Sequence, residues 1–276
     1  MNRTFDKFRL KNRVAIITGG AGLLGIQHAE AIAEAGGIPI LWDINGKAAK
    51  EKANEIVKKY KVKCQGMKVD ITKPKDVKKI LSESLRTYHN VHILINNAAN
   101  DPKVKAGEDS RWSRFENYAL EMWDKDISVS LTGAFLCSQM VGSHMAQNGK
   151  GVILNIASDL GVIAPDQRIY RQEGLTEDQQ QVKPVTYSVV KHGLIGLTKY
   201  LATYWADKGV RVNALCPGGV YNKHPDDFVK KLTNLIPMGR MANIDEYKAA
   251  VLFLVSDASS YMTGSVTIVD GGRTCW

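Results

Sequence analysis

Tyr187 and Lys191 stand four residues apart in Thr186-Tyr187-Ser188-Val189-Val190-Lys191, at the head of a long stretch with helical period. That spacing puts a phenol and an ammonium on one face of a helix. A phenol with an ordinary pKa of about 10 is a poor base at neutral pH, and a nearby cation favours the phenolate and lowers that value. Such a pair can shuttle a proton. The same spacing also arises by accident in many helices, so the motif needs company.

A second cluster lies near the start of the chain, where Val14-Ala15-Ile16-Ile17-Thr18 reads as a strand and runs into Gly19-Gly20-Ala21-Gly22-Leu23-Leu24-Gly25 at the opening of a helical pattern. Gly19 permits a tight turn, and Gly22 lets the backbone approach a pyrophosphate. Gly25 allows the helix to pack closely on the sheet, while N–H groups at its start face the phosphates. A purely structural turn of small residues is the alternative. The next strand ends in Trp42-Asp43, where a carboxylate accepts hydrogen bonds from both hydroxyls of an adenosine ribose and repels a 2′-phosphate. NAD(H) is therefore expected over NADP(H). Lys47 is the nearest residue able to reverse that preference, and a helix N-cap is the plainer role for Asp43.

These groups need a scaffold, and the 276 residues, 44% hydrophobic and 24% charged, are enough for one sizeable α/β domain. Apolar content this high excludes disorder as the main state. No run approaches the roughly 18 apolar residues of a membrane span, and the charged N-terminal stretch lacks the apolar middle of a secretory signal. A cytoplasmic protein is expected. Cys64, Cys137, Cys216 and Cys275 are scattered singly and read as buried or semi-buried free thiols, with neither a disulfide framework nor a metal site. Short β-branched runs at 14–18, 38–42, 91–96, 151–158, 210–218 and 265–272 alternate with helix-length stretches, the pattern of βαβ units on a parallel sheet covered on both faces. The expected fold is a single doubly wound α/β domain over 1–276. The net charge of +9 is concentrated in the lysine-rich segment 47–79, which reads as two solvated helices around a strand. With Tyr60 its only aromatic, that segment is a poor nucleic-acid patch.

Taken together, Gly19, Gly22, Gly25, Asp43, Asp70, Asn96-Asn97-Ala98-Ala99, Ser158, Tyr187, Lys191, Asn213, Pro217-Gly218 and Asp270-Gly271-Gly272 follow the order and approximate spacing of the short-chain dehydrogenase/reductase family. The resemblance runs from about Arg13 to Gly272. It implies a Rossmann-type fold and an NAD(P)-dependent oxidoreductase without a metal. By position, Tyr187 resembles the family's general acid/base, Ser158 the serine that hydrogen-bonds the substrate oxygen, and Lys191 the residue that grips the nicotinamide ribose. Leu24, Ile44 and Ile71 join the glycines and Asp43 at the cofactor. Asp70 resembles the residue that holds the adenine amino group, and Asn97-Ala98 the backbone beneath the adenine ribose. Pro217, Gly218 and Val220 match the turn that supports the carboxamide. Asp270-Gly271-Gly272 corresponds to a strand end at a subunit contact, and the family implies a homodimer or homotetramer.

Three features depart from the family pattern. Leu23 stands where the common short-chain form has glycine. Ser130 replaces an asparagine that, in the family, holds a water linking the lysine to solvent; a serine hydroxyl both donates and accepts but reaches less far. Third, 28 residues separate Ser158 from Tyr187, about twice the family interval. The extra segment, about 162–184, is polar, and both of its ends abut catalytic groups, so it is expected to overhang the substrate pocket. Arg168, Tyr170, Arg171, Gln172 and Lys183 are its candidates for binding hydroxyls or phosphate. An interface arm or a solvated loop is the alternative.

The polar insertion and the polar stretch 220–231 favour a hydroxylated substrate, neutral or anionic, such as a sugar, sugar phosphate or nucleotide sugar. The motifs also resemble oxidoreductases associated with flagellin modification and nonulosonic acid sugars. A dehydrogenase of lipid-like or acyl substrates would carry the same catalytic residues. A non-catalytic dinucleotide sensor or nucleic-acid binder would suit the charge, but gives no reason for Ser158, Tyr187 and Lys191 to occur together.

Overall fold

The computed structural model describes residues 3–104 and 108–276. Seven strands, β1 (Val14–Thr18), β2 (Ile38–Asp43), β3 (Gln65–Lys68), β4 (Ile93–Asn96), β5 (Gly151–Ile156), β6 (Val210–Pro217) and β7 (Val266–Val269), form one sheet in the order β3-β2-β1-β4-β5-β6-β7. Every pairing is parallel. A parallel sheet needs crossovers, and here they are α1 (Leu23–Glu34), α2 (Gly46–Tyr60), α3 (Pro74–Tyr88), the rod containing α4 (Leu120–Ile127), α5 (Gly133–Cys137) and α6 (Ser143–Gln147), then α7 (Val185–Tyr204), α8 (Asp226–Thr233) and α9 (Lys248–Val255). The fold is the single doubly wound α/β domain expected of the sequence.

Side-chain alternation along the strands divides the core into two layers. Val14 and Ile16 of β1 join Ile40, Trp42 and Leu94 on the face covered by α3 and the α4–α6 rod. Ala15 and Ile17 join Leu41, Ile93 and Ile95 on the face covered by α1, α2 and α9. Both layers are apolar at the centre of the sheet, which is what makes the strands read as nearly continuous apolar runs. Asn96 and Asn155 are two of the buried polar exceptions: Asn96 Nδ2 donates to Asn155 Oδ1 at 2.8 Å and to Ser138 Oγ at 2.9 Å, and Asn155 Nδ2 donates to Thr198 Oγ1 at 2.8 Å. That chain ties β4 and β5 to the helices on one face.

The α4–α6 rod contains two π-turns, Ser128–Thr132 and Ser138–Gly142. Such turns shift the helical register and often mark functional positions. Ser130 lies in the first. The lysines of 47–79 lie almost entirely on the solvent faces around α2, β3 and α3. Among the thiols, Cys137 and Cys216 are buried and Cys64 half-buried, but Cys275 is exposed, contrary to expectation, because it follows the last strand on a short tail. None of the described helices is long and apolar enough to cross a membrane.

The turn from β1 to α1 leaves no room at Gly25, where an added Cβ would stand 2.1 Å from the Gly19 carbonyl oxygen. Gly25→Ala should therefore lower unfolding stability by about 3 kcal/mol, the upper range for overpacking. Urea denaturation of the variant checks this.

Candidate active site

A cleft of about 1420 Å³ opens over the carboxyl ends of β1, β2, β4, β5 and β6. The strand order reverses between β1 and β4, and open α/β sheets bind ligands outside the strand ends at such a switch point. The volume exceeds the roughly 300–1,000 Å³ of a drug-sized site, leaving room for a dinucleotide and a second molecule.

One half of the cleft is built from the glycine turn. Gly19 has φ +60°, and a Cβ there would stand 3.0 Å from Ala98 Cα, so both the dihedral and the close approach require glycine. Thr18 Oγ1 accepts the N–H groups of Asn97 and Ala98 at 3.0 and 3.1 Å, and Asn97 Nδ2 donates to the Thr18 carbonyl at 3.0 Å. These bonds staple the turn to the end of β4. Thr18 was not singled out in the sequence, though its place at the strand end was visible. Gly22 caps α1 with no side-chain partner for the first-turn N–H groups, the arrangement that receives a phosphate.

Asp43 ends β2 beside this turn, with Oδ2 accepting Ala21 N–H at 3.1 Å and Oδ1 accepting Asn45 N–H at 2.9 Å. The N-cap of α2 is Asn45, whose Oδ1 accepts Ala48 N–H, so Asp43 is not the cap. Asp70 accepts from Thr72 N–H and Oγ1–H and pairs with Lys73 at 3.3 Å; these donors hold its carboxyl below the usual range. Leu24, Ile44, Asp70, Ile71, Asn97, Ala98, Pro217, Gly218 and Val220 line the cleft with Gly19, Gly22 and Asp43. Gly25 does not, since it is packed behind the turn. Beyond Ile44 a shallower hollow of about 740 Å³ is flanked by Lys47, Lys50 and Lys68. The tight glycine cradle, the open helix start and the strand-end carboxylate together fit a pyridine dinucleotide.

Ser158, Tyr187 and Lys191 share the other half. Ser158 follows β5 and is 4% exposed; Lys191, on α7, is 6% exposed, and its Nζ donates to the Ile156 carbonyl at the end of β5 at 2.9 Å. Tyr187 is half-buried, with Lys191 Nζ 5.6 Å from its ring centroid, and it lines the cleft together with Ser158. Burial pulls Lys191 down to about 8. The phenol runs against expectation: burial first, then the charge of Asp101, push the Tyr187 pKa up. In the protein alone, desolvation sets the direction of the shift. A second ammonium, Lys183 Nζ from the insertion, lies 3.7 Å above the Tyr187 ring and pairs with Asp101 at 2.8 Å.

The start of α7 is held by a buried carboxylate. Asp126 accepts hydrogen bonds from Thr186, Asn100 and Tyr118, the last at 2.7 Å. Thr186 directly precedes Tyr187, so this network sets where the phenol begins. Ser130 belongs to the same network: its Oγ accepts Asn100 N–H at 3.0 Å, and it is buried behind the cleft wall. Its contact is thus with the backbone after β4, not with the lining of the cleft.

The insertion folds back on itself through Gln180, which accepts Gln172 N–H and donates to the Gln172 and Leu175 carbonyls. It leans on α8 through Tyr170 and Phe228, whose rings are 5.5 Å apart. Tyr170, Arg171, Gln172 and Lys183 line the cleft. Arg168 does not: its side chain is 83% exposed and bound to Asp166 two residues back, which also caps the local turn. Among the charged cleft residues that went unread in the sequence are Asp101, already met at Lys183, and Asp159 and Arg273, which form a buried pair at 2.9 Å. The position of Asp159 next to Ser158 was its only local signal.

Residues 13–170 match the family described as "short chain dehydrogenase", and residues 175–274 match "Enoyl-(Acyl carrier protein) reductase". The chain is 32% identical over 277 residues to an NAD-dependent glycerol dehydrogenase of Listeria innocua, covering 98% of this chain and 97% of the relative. It is 33% identical over 281 residues to an NADP-dependent mannitol dehydrogenase of Hypocrea jecorina, covering 99% and 96%. A solved gluconate 5-dehydrogenase from Burkholderia cenocepacia, in complex with NADP and tartrate, superposes with a TM-score of 0.86 at 26% identity, covering 99% and 100%. The fold and the cleft define an oxidoreductase of the dinucleotide-binding α/β class. The chain belongs to the short-chain dehydrogenase/reductase family.

Lys191 gives a pH test of this site. Its folded pKa of about 8 lies below the ordinary 10.5, so the unfolded chain binds the extra proton between those values and stability rises with pH across that window. Replacing the buried ammonium should remove a penalty of about 3 kcal/mol at pH 7, from roughly 1.4 kcal/mol per pKa unit. Lys191→Met is expected to be more stable than the natural protein at pH 7, with the gap closing by pH 10.5 in paired urea titrations.

Proposed function

We propose that this oxidoreductase interconverts an alcohol and a ketone on a polyol or sugar-like substrate, using NAD(H) in preference to NADP(H). The observation that carries the substrate reading is the charge of the cleft around Tyr187. Asp101 and Lys183 stand on one side and Asp159 and Arg273 also line the wall, groups that suit hydroxyls and acid groups better than an alkyl chain. The named activities of the glycerol, mannitol and gluconate relatives agree with it. The sequence resemblance to flagellin-modification and nonulosonic-acid oxidoreductases is a narrower version of the same reading.

The bound dinucleotide would supply or accept the hydride. Gly19, Gly22 and the start of α1 would hold its pyrophosphate, Asp43 and Asp70 its adenosine end, and Lys191 with Pro217, Gly218 and Val220 its nicotinamide end. Tyr187 moves the proton between the substrate oxygen and the protein, and Ser158 hydrogen-bonds that oxygen. The raised phenol pKa keeps Tyr187 protonated in the free protein, the state of an acid ready to protonate a reduced carbonyl. Subunit pairing into a dimer or tetramer and a cytoplasmic setting complete the proposal.

Asp43 supports the NAD preference. One backbone N–H on each carboxylate oxygen leaves acceptor capacity for the ribose hydroxyls, and an anion at this point opposes a 2′-phosphate. The glycerol and mannitol relatives use different cofactors by name, so they do not decide. A second reading, an acyl or other apolar ketone, is favoured by Ile169, Leu232 and Met241, which line the same cleft.

A panel of glycerol, D-mannitol, D-threitol, D-gluconate and cyclohexanol, each with NAD⁺ and NADP⁺ at the nicotinamide absorbance, separates the readings. A polyol or aldonate should be turned over faster than cyclohexanol, and the reverse order would favour the apolar reading. Tyr187→Phe should lower kcat at least about a hundredfold while NADH still binds; near-natural turnover would remove Tyr187 from the role. Asp43→Ala should lower the NAD⁺ to NADP⁺ ratio of kcat/KM at least about tenfold, and an unchanged ratio would place the ribose elsewhere.

A further inference from the structure

The hydroxyl proton of Ser158 is already engaged. Ser158 Oγ–H donates to Asp159 Oδ1 at 2.7 Å, and Leu160 N–H is shared between that carboxylate oxygen at 2.8 Å and Ser158 Oγ at 3.2 Å. The other oxygen, Oδ2, accepts from Arg273 Nη1 at 2.9 Å. Asp159 is 3% exposed and Arg273 7%, and both line the cleft. A buried carboxylate without a counter-charge would be costly to keep ionised, so the guanidinium is what makes Asp159 a strong acceptor for the serine.

Arg273 reaches this place because of the turn after β7. Asp270 Oδ1 accepts Gly272 N–H at 2.9 Å and Oδ2 accepts Thr274 N–H at 2.8 Å, curling the chain end back over the sheet. Gly271 and Gly272 have φ of +68° and +89°, and a Cβ on either would stand 2.8 Å from Ile236 or 2.9 Å from Pro237. Asp270-Gly271-Gly272 therefore has a role within the chain beyond any subunit contact. It sets Arg273 beside the carboxylate that holds the catalytic-site serine.

We propose that Asp159 and Arg273 are a positioning pair for Ser158: their ion pair fixes the serine side chain in one rotamer beside the place of the substrate oxygen, whose single proton is exchanged with Tyr187. The inference rests on the reading of Ser158 as the group that contacts the substrate oxygen. It adds that this serine is oriented from the far end of the chain, by Arg273, which lies 114 residues beyond Asp159.

The test is a double-mutant cycle, using the fastest substrate of the panel above with its better cofactor. Asp159→Asn should lower kcat about ten- to a hundredfold, the scale of a misplaced catalytic contact, with the KM for cofactor within about twofold. In the Ser158→Ala background the same change should have no further effect on kcat, because a residue acting only through Ser158 has nothing left to position. Breaking a buried pair can also unfold the protein. Arg273→Lys, which keeps the charge, is therefore measured beside Arg273→Gln, and the lysine should recover at least half of the activity that glutamine loses. If Ser158→Ala retains natural turnover, the serine reading itself fails. If Ser158→Ala is impaired but Asp159→Asn is not, or if Asp159→Asn costs as much without the serine hydroxyl as with it, the positioning role alone is overturned.

Discussion

A phenol and an ammonium are withdrawn from water side by side at the end of a parallel sheet, and the rest of the site depends on how that desolvation is balanced. Burial disfavours charge on both groups, so it raises Tyr187 and lowers Lys191. The protein answers with dipoles and counter-charges placed by secondary structure. The Ile156 carbonyl at the end of β5 receives the Lys191 ammonium. Asp101 and Lys183 stand at the ring of Tyr187, and Asp159 and Arg273 at Ser158.

The sheet makes that balance possible because its carboxyl edge brings distant segments to one line. The turn after β1, the ends of β4, β5 and β6, and the first turns of α7 all open onto the same cleft. Asn96, Asn155 and Thr198 tie this edge from beneath, and Asp126 fixes the entry to α7 from the side. Each of these bonds fixes one arrangement, because breaking it would leave a buried polar group unpaired. The insertion completes the wall with a polar surface, closed on itself through Gln180 and braced against α8.

Much of this was legible in the residues. Strand-length apolar runs, a glycine turn between strand and helix, and Tyr187 with Lys191 on one helical face are local patterns, and local patterns survive translation into sequence. The direction of the Tyr187 shift was not legible, because spacing shows the neighbouring cation but not the burial that sets it. Arg168 read as a ligand group, yet Asp166 two residues earlier captures it. Ser130 stands where the family has an asparagine, and its position in the chain gave no sign that its oxygen receives the Asn100 backbone. Lys183 was legible as a charged candidate but its pairing with Asp101 was not, nor was the pair Asp159–Arg273, since the members lie 82 and 114 residues apart and no periodicity links them.

Burial of the Tyr187 phenol opposes its ionisation in the protein alone. The most direct test is the tyrosinate difference spectrum between the natural protein and Tyr187→Phe, titrated from neutral to alkaline pH without cofactor. The account predicts no Tyr187 tyrosinate signal until the pH is above the ordinary phenol value of about 10. A Tyr187 signal that titrates near neutrality in the free protein would contradict it.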